Sequence, residues 1–123
     1  MAKLLIVDDE HDVREFAANF FRRRKIDVST ASSGTEAIQK VETDKPNLIL
    51  LDVKMAGIDG IETLERIKKI DNAIKIIMVT GKKPEEDSAL SRCISAGALD
   101  YIHKPLELDI LEKVVMKELL NMN

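Results

Sequence analysis

The sequence alternates short aliphatic runs with longer amphipathic segments, and this alternation restricts the fold more than any other feature. Most of the runs are continuously apolar, which is typical of strands buried on both faces of a parallel sheet. Between them, apolar residues recur at helical spacing. The aliphatic runs are residues 3–7, 27–31, 47–51, 74–80 and 99–103, and the helical stripes are Val13, Phe16, Ala17, Phe20 and Phe21, then Ile61, Leu64 and Ile67, then Leu108, Leu111, Val115 and Leu119.

Helix-boundary signals separate these segments. Ser33, with Glu36 three residues later, predicts a capping box that opens a second helix. Pro84, followed by three acids, predicts the start of a fourth helix, and Gly97 predicts its end. The sequence therefore predicts an α/β fold: a doubly wound five-stranded parallel sheet with five helices. Ligands bind at the carboxyl ends of the strands in such a sheet.

Length and composition exclude several classes of protein. A chain of 123 residues without repeats or a linker-like segment predicts one domain over residues 1–123. The net charge of −3 gives no electrostatic reason to bind nucleic acid. The single cysteine, Cys93, cannot form an internal disulfide, and the apolar run after Lys3 is too short for a signal peptide or a membrane span. We therefore expect a cytoplasmic protein.

Acidic residues fall where two of the predicted strands end. Asp8 and Asp9 follow the first run directly, and Asp52 terminates the third after five apolar residues. In a doubly wound sheet these strand ends are neighbours, and clustered carboxylates repel one another unless a cation lies among them. Oxygen ligands of this kind suit Mg²⁺, which accepts one or two carboxylates together with a phosphate. The pattern predicts a magnesium site at this edge of the sheet.

Two further polar residues end the remaining strands. Thr80 closes the fourth run and Lys104 follows the fifth, so that a hydroxyl and an ammonium would face the acids and could neutralise a phosphoryl group. Each residue alone has a structural explanation, as a turn former, a strand residue or a solvated lysine. Their common position at strand ends favours a site. His11 and His103 lack companions at ligand spacing, so we expect no metal there.

These motifs together resemble the receiver domain of two-component response regulators, of the stand-alone, single-domain type. The resemblance extends from about Lys3 to Leu120 and implies a flavodoxin-like sheet with strand order 2-1-3-4-5. The chain departs from the family pattern at three places. Ala56 stands where proline is usual, Leu99 stands where a small or polar residue is common, and the stretch between Thr80 and Lys104 is slightly longer. The motifs are LLIVDDE, LILLDVKMAGIDGIETL, Thr80 with Gly81, and SAGALDYIHKP.

The resemblance implies a role for each acid of the predicted site. Asp52 would be the phospho-acceptor. Asp9 and Asp52 would bind Mg²⁺ directly, and Asp8 would bind it mainly through water. The backbone carbonyl of Lys54 would be the third protein ligand. The side chains of Lys54 and Lys82 would border the path by which water removes the phosphoryl group.

The resemblance also implies a switch. Thr80 would hydrogen-bond the phosphoryl group and Lys104 would pair with it. The Lys104–Pro105 peptide bond would be cis, and the rotamer of Tyr101 would follow the position of Thr80. This change would remodel the face made by the fourth helix, the fifth strand and the fifth helix, where a downstream protein would dock.

The implied protein is a signalling switch rather than an enzyme. Its donor would be a sensor histidine kinase or a histidine phosphotransfer protein, it would bind neither nucleic acid nor membrane, and it would be a monomer or a weak dimer. One alternative is a pseudo-receiver that binds partners without phosphorylation. Another is a phosphatase of the haloacid dehalogenase type. That chemistry requires a second Asp two residues after the nucleophile, where this chain has Lys54 after Asp52 and Glu10 after Asp8.

Overall fold

The protein folds around one five-stranded parallel sheet with the strand order β2-β1-β3-β4-β5. The computed structural model describes residues 2–53, 57, 59–81 and 90–120. The strands are β1 (Lys3–Val7), β2 (Asp27–Ala31), β3 (Leu48–Asp52), β4 (Lys75–Thr80) and β5 (Asp100–His103). The helices are α1 (His11–Arg22), α2 (Gly34–Asp44), α3 (Gly60–Ile70), α4 (Leu90–Ser95) and α5 (Leu108–Leu120). This architecture confirms the predicted fold class; the predicted helix start at Pro84 lies outside the described residues.

The third strand is shifted by one residue from the predicted run, and the shift affects the site. Asn47 lies outside β3, where it exchanges hydrogen bonds with the backbone of Lys3: Lys3 N donates to Asn47 Oδ1 (2.8 Å) and Asn47 N donates to Lys3 O (2.9 Å). At the other end Asp52 belongs to β3 and is in register with Val79 of β4. Asp52 is therefore held by the sheet itself rather than by the loop that follows.

Alternate residues of the central strands pack into two cores on opposite faces of the sheet. Leu5, Ile49 and Ile76 lie in one core, together with apolar side chains of α2 and α3. Leu4 and Ile77 lie in the other, together with apolar side chains of α1 and α5. Each buried aliphatic side chain stabilises the fold by about 1.5–3 kcal/mol, and burial on both faces explains why the strands read as continuous apolar runs.

Local signals fix the helix ends that flank the sheet. Ser33 Oγ accepts a hydrogen bond from Glu36 N (3.1 Å), which confirms the predicted cap of α2. The Glu36 carboxylate accepts from Ser32 N (2.7 Å), one residue before the N-cap, and this bond lowers the pKa of Glu36. Gly97 follows α4 with a φ of +107°, a left-handed conformation that favours glycine. Among the described residues, none of the helices has the length and hydrophobicity required to span a bilayer.

Candidate functional site: the acidic pocket

Four of the predicted site residues lie at one edge of the sheet, because parallel strands all end on the same side. Asp8 follows β1, Asp52 ends β3 and Thr80 ends β4. Lys104 follows β5, and its backbone N–H donates to Thr80 O (2.6 Å), which ties the end of β5 to the end of β4. The Lys104–Pro105 peptide bond is cis, as expected. The sheet therefore brings two acids, a hydroxyl-bearing residue and a lysine from four strand ends to one edge, where the acids and the lysine form a pocket.

The Lys104 ammonium joins the carboxylates of this pocket. Its Nζ lies 3.1 Å from Asp8 Oδ2 and 3.4 Å from Asp52 Oδ2. These contacts are shielded from solvent, because the side chains of Lys104, Asp8 and Asp52 are only 16%, 7% and 5% exposed. The same Nζ lies 3.4 Å from Glu10 Oε1, whose side chain is 64% exposed. One partly buried cation is thus shared by two buried acids and one acid at the surface.

This shared contact keeps Lys104 protonated. Desolvation lowers the pKa of Lys104, but the negative charges of Asp52, Asp8 and Glu10 and the hydrogen bond to Asp8 outweigh it, and the net pKa is raised above the usual value of 10.5. The Lys104 ammonium is therefore charged, and it is already shared by three carboxylates.

The first acids of the pocket form a set that could hold a divalent cation. Asp8, Asp9 and Glu10 each offer an oxygen atom, and these atoms lie within 4.8 Å of one another. Asp8 is buried, whereas Asp9 is exposed. Carboxylate oxygens alone, without nitrogen or sulfur ligands, are the donors that Mg²⁺ prefers, so these residues fit that ion. The other predicted ligands were Asp52 and the Lys54 carbonyl: Asp52 is not part of this set, and Lys54 lies outside the described residues, as does Lys82.

Asp8 is oriented by contacts that the sequence analysis did not anticipate. Glu10 N donates to Asp8 Oδ1 (2.9 Å), and Lys104 Nζ donates to Asp8 Oδ2 (3.1 Å). Both carboxylate oxygens of Asp8 are therefore hydrogen-bonded. Arg14 Nη1 donates to the backbone carbonyl of Asp8 (2.9 Å), and the Arg14 side chain is 13% exposed. The run of three consecutive acids could have indicated a role for Glu10 in the pocket. No sequence feature indicated the contact of Arg14, which is an arginine in the first turns of an amphipathic helix.

A close approach of α3 positions the end of β3. A Cβ atom on Gly60, the first residue of α3, would lie 2.2 Å from the carbonyl oxygen of Asp52 and 2.6 Å from Val53 Cα. Gly60 N donates to Val53 O (2.8 Å). The φ of Gly60 is not in the left-handed region, so the absence of a side chain, rather than backbone freedom, is what allows α3 to pack against the end of β3.

The predicted switch residues lie on neighbouring strands. Thr80 is 1% exposed and is in register with His103, two residues after Tyr101. Because side chains of a strand alternate in direction, Tyr101 and His103 share a face, and their rings meet edge to face with centroids 5.3 Å apart. Tyr101 is partly buried against the core on that face. Thr80 and Tyr101 therefore belong to the same side of the β4–β5 pair.

The fold and pocket define a class: doubly wound α/β proteins with an acidic site and a lysine at the carboxyl ends of the strands. Residues 4–116 match the family described as the response regulator receiver domain. The chain is 35% identical over 117 residues to the sporulation initiation phosphotransferase F of Bacillus subtilis, with 95% of this chain and 93% of that protein covered. The chain belongs to the response regulator receiver domain family.

Two further comparisons agree with this assignment. The chain is 41% identical over 103 residues to the alkaline phosphatase synthesis transcriptional regulatory protein PhoP of Bacillus subtilis, with 84% of this chain covered. It spans 42% of the length of that relative. The crystal structure of response regulator TrrA from Thermotoga maritima in complex with Mg²⁺-BeF has a TM-score of 0.84 and 34% identity, with 97% of this chain and 100% of that chain covered. Receiver domains accept phosphoryl groups from histidine kinases or phosphotransfer proteins and act as signalling switches.

Proposed function

We propose that this receiver domain accepts a phosphoryl group on Asp52 in a magnesium-dependent reaction and thereby alters a surface that binds a downstream protein. The observation that carries the proposal is the position of Lys104 Nζ between the buried carboxylates of Asp8 (3.1 Å) and Asp52 (3.4 Å). The magnesium requirement is supported by the fit of the acidic set and by the complex of TrrA with Mg²⁺-BeF.

The chemistry follows from the groups that surround Asp52. A carboxylate oxygen of Asp52 attacks phosphorus, the bond from phosphorus to the donor imidazole nitrogen breaks, and its electron pair returns to the imidazole. The Lys104 ammonium pairs with the transferred phosphoryl oxygens, and the Thr80 hydroxyl donates to another. Asp9, Asp52 and the Lys54 carbonyl would hold Mg²⁺ directly and Asp8 would hold it mainly through water; the ion would supply positive charge that favours the transfer.

An apolar groove beside the pocket supports a protein as the donor. The groove has a volume of about 410 Å³ and is lined by Asp12, Val13, Phe16, Lys104, Pro105 and Leu106. Phe16 is 57% exposed, which is unusual for a large apolar side chain and favours contact with another protein. A histidine kinase or phosphotransfer protein that covers this groove would also exclude water from the transfer.

The output surface proposed here is the face of α4, β5 and α5. Exposed apolar side chains occur on α4 (Ile94, 47%), just before β5 (Leu99, 44%) and on α5 (Ile110, 49%). In the proposed switch, Thr80 moves towards the phosphoryl group and Tyr101 follows into the space it leaves, which changes this face. The change is a shift between two states, so a partner must prefer one of them for a signal to pass. We further propose that residues 1–123 act as one receiver domain in the cytoplasm.

The test is incubation with acetyl phosphate and Mg²⁺, followed by intact mass and by peptide mapping. We expect the mass to increase by one phosphoryl group on Asp52, and we expect no increase without Mg²⁺ or in Asp52→Asn. Wild-type protein that stays unmodified would identify a pseudo-receiver and refute the proposal. Continued labelling of Asp52→Asn at another residue would refute the assignment of the acceptor. Turnover of a generic phosphoester would favour the phosphatase alternative.

A further inference from the structure

Glu10 occupies an unusual position at the entrance of the acidic pocket. It is the N-cap residue of α1, yet its side chain makes no capping hydrogen bond. Instead Glu10 Oε1 lies 3.4 Å from Lys104 Nζ. Its side chain is 64% exposed, whereas Asp8 and Asp52, the other acids in contact with Lys104, are 7% and 5% exposed. Glu10 is therefore the solvent-facing carboxylate among the three that share the lysine.

This position gives Glu10 two effects on an incoming phosphoryl group. Its negative charge repels an anion that approaches from solvent, and its contact with Lys104 takes up part of the cation that such an anion would need. Both effects depend on the charge of the donor. They are also screened by salt, because Glu10 is largely exposed.

We infer that Glu10 is a specificity-determining residue of phosphoryl transfer, which disfavours small, highly charged phosphodonors and so leaves the pocket to donors delivered by a protein surface. The inference rests on the proposed function, since it concerns the same transfer to Asp52. A protein donor gains binding energy from contacts outside the pocket, such as the groove beside Phe16, and depends less on the charge at the entrance. A free phosphodonor has no such contacts.

Two small donors of different charge test this inference. Acetyl phosphate is a dianion near neutral pH; when Asp52 forms its bond to phosphorus, the bond to the acetate oxygen breaks and acetate leaves with the electron pair. Phosphoramidate carries a protonated nitrogen and less net negative charge; its phosphorus–nitrogen bond breaks and ammonia leaves. The rate of phosphorylation is measured with each donor for wild type, Glu10→Gln, Glu10→Asp and the control Glu65→Gln. Glu65 is an exposed acid on α3, so its variant makes the same change in net charge.

We expect Glu10→Gln to raise the rate with acetyl phosphate about threefold and the rate with phosphoramidate less than about twofold, as a single exposed charge does at low ionic strength. The rates are taken at saturating Mg²⁺, determined separately for each variant by titration, so that a change in metal affinity does not enter. Glu10→Asp, which keeps the charge, should retain the wild-type donor preference. The effect of Glu10→Gln should decline towards none as salt rises from about 0.05 to 0.5 M.

Three results would overturn the inference. The first is an equal effect of Glu10→Gln on both donors, the second is an effect matched by Glu65→Gln, and the third is one that salt does not change. If wild type is labelled on Asp52 and any of these results is found, the inference fails while the proposed function stands. If wild type accepts no phosphoryl group from either donor, both fail.

Discussion

Replacing Lys104 with methionine should destabilise the unmodified protein, although the change removes a buried charge. Two effects oppose each other: methionine avoids the cost of burying an ammonium, but it leaves the carboxylates of Asp8 and Asp52 without their shared cation. Removing one partner of a fully buried ion pair costs about 3–5 kcal/mol, whereas an exposed pair contributes about 0–1 kcal/mol. The Asp8 and Asp52 side chains are 7% and 5% exposed and that of Lys104 is 16% exposed, which places the pocket nearer the buried case.

We therefore expect Lys104→Met to lose about 2–3 kcal/mol of unfolding free energy at pH 7 without divalent cations. With an unfolding entropy of roughly 2.1 cal/mol/K per residue, this loss lowers the Tm of a 123-residue chain by about 8–12 °C. The measurement is thermal unfolding followed by circular dichroism at low salt. Lys75→Met is the matched control: Lys75 pairs at 3.0 Å with the single acid Glu118, and the two side chains are 37% and 15% exposed, so this loss should cost about 1 kcal/mol, less than at Lys104.

Two additional measurements separate the electrostatic explanation from a packing defect. Millimolar Mg²⁺ should raise the Tm of Lys104→Met more than that of wild type, because a bound cation replaces the missing charge and stabilises the native state. Adding Asp52→Asn to Lys104→Met should recover part of the loss, because it removes one of the two unneutralised buried acids. The reasoning is refuted if Lys104→Met is as stable as wild type, if its loss equals that of Lys75→Met, or if neither Mg²⁺ nor Asp52→Asn recovers stability.

Two other predictions concern the elements that position the pocket. Glu36→Gln should cost about 0.3–1 kcal/mol of unfolding free energy at pH 7, since it removes the negative charge at the start of α2. The pKa of Glu36 is lowered from 4.5, so the difference in stability from wild type should be complete above that pH and should disappear as pH falls through the folded-state pKa. Urea unfolding curves at a series of pH values measure this difference. A difference that persists at the lowest pH would contradict this. Gly60→Ala should cost about 3 kcal/mol or more of unfolding free energy, because its Cβ would lie 2.2 Å from the backbone oxygen of Asp52. Gly57→Ala is the comparison, because nothing lies within 4 Å of the added Cβ. The φ of +81° at Gly57 adds a strain of about 1 kcal/mol to that variant. Equal Tm values for the two variants would refute the role of the close approach.

Much of the fold could be predicted from the sequence because burial on both faces of a parallel sheet leaves a simple pattern. The predicted runs 3–7 and 27–31 coincide with β1 and β2. The other three strands begin one residue later than predicted, whereas β3 ends at Asp52, as expected. Those limits depend on pairing with a neighbouring strand and on the Asn47 contacts with Lys3, which are separated by more than forty positions in the chain and leave no local signal.

The site residues show the same division between pattern and geometry. Asp8, Asp52, Thr80 and Lys104 could be predicted as neighbours, because each stands at a strand end and parallel strands end together. Glu10 and Arg14 were missed, because their contacts depend on side-chain directions at the start of α1. The close approach at Gly60 was also missed: a glycine after a strand is equally consistent with a loop, and only the distance to Asp52 distinguishes the two explanations.

The contacts of Lys104 connect the stability of the unmodified protein to the proposed switch. In the unmodified pocket the single ammonium is shared by Asp8, Glu10 and Asp52, so the pocket keeps a net negative charge that attracts a divalent cation. A phosphoryl group on Asp52 would bring more charge and more acceptor oxygens than the carboxylate it replaces, and would draw Lys104 away from Asp8 and Glu10. Because the Lys104 backbone donates to Thr80 O, the strand end that carries the lysine is already tied to the strand end that carries the switch hydroxyl. Redistribution of one lysine's charge would thus act on the acids of β1 and on the β4–β5 pair at the same time.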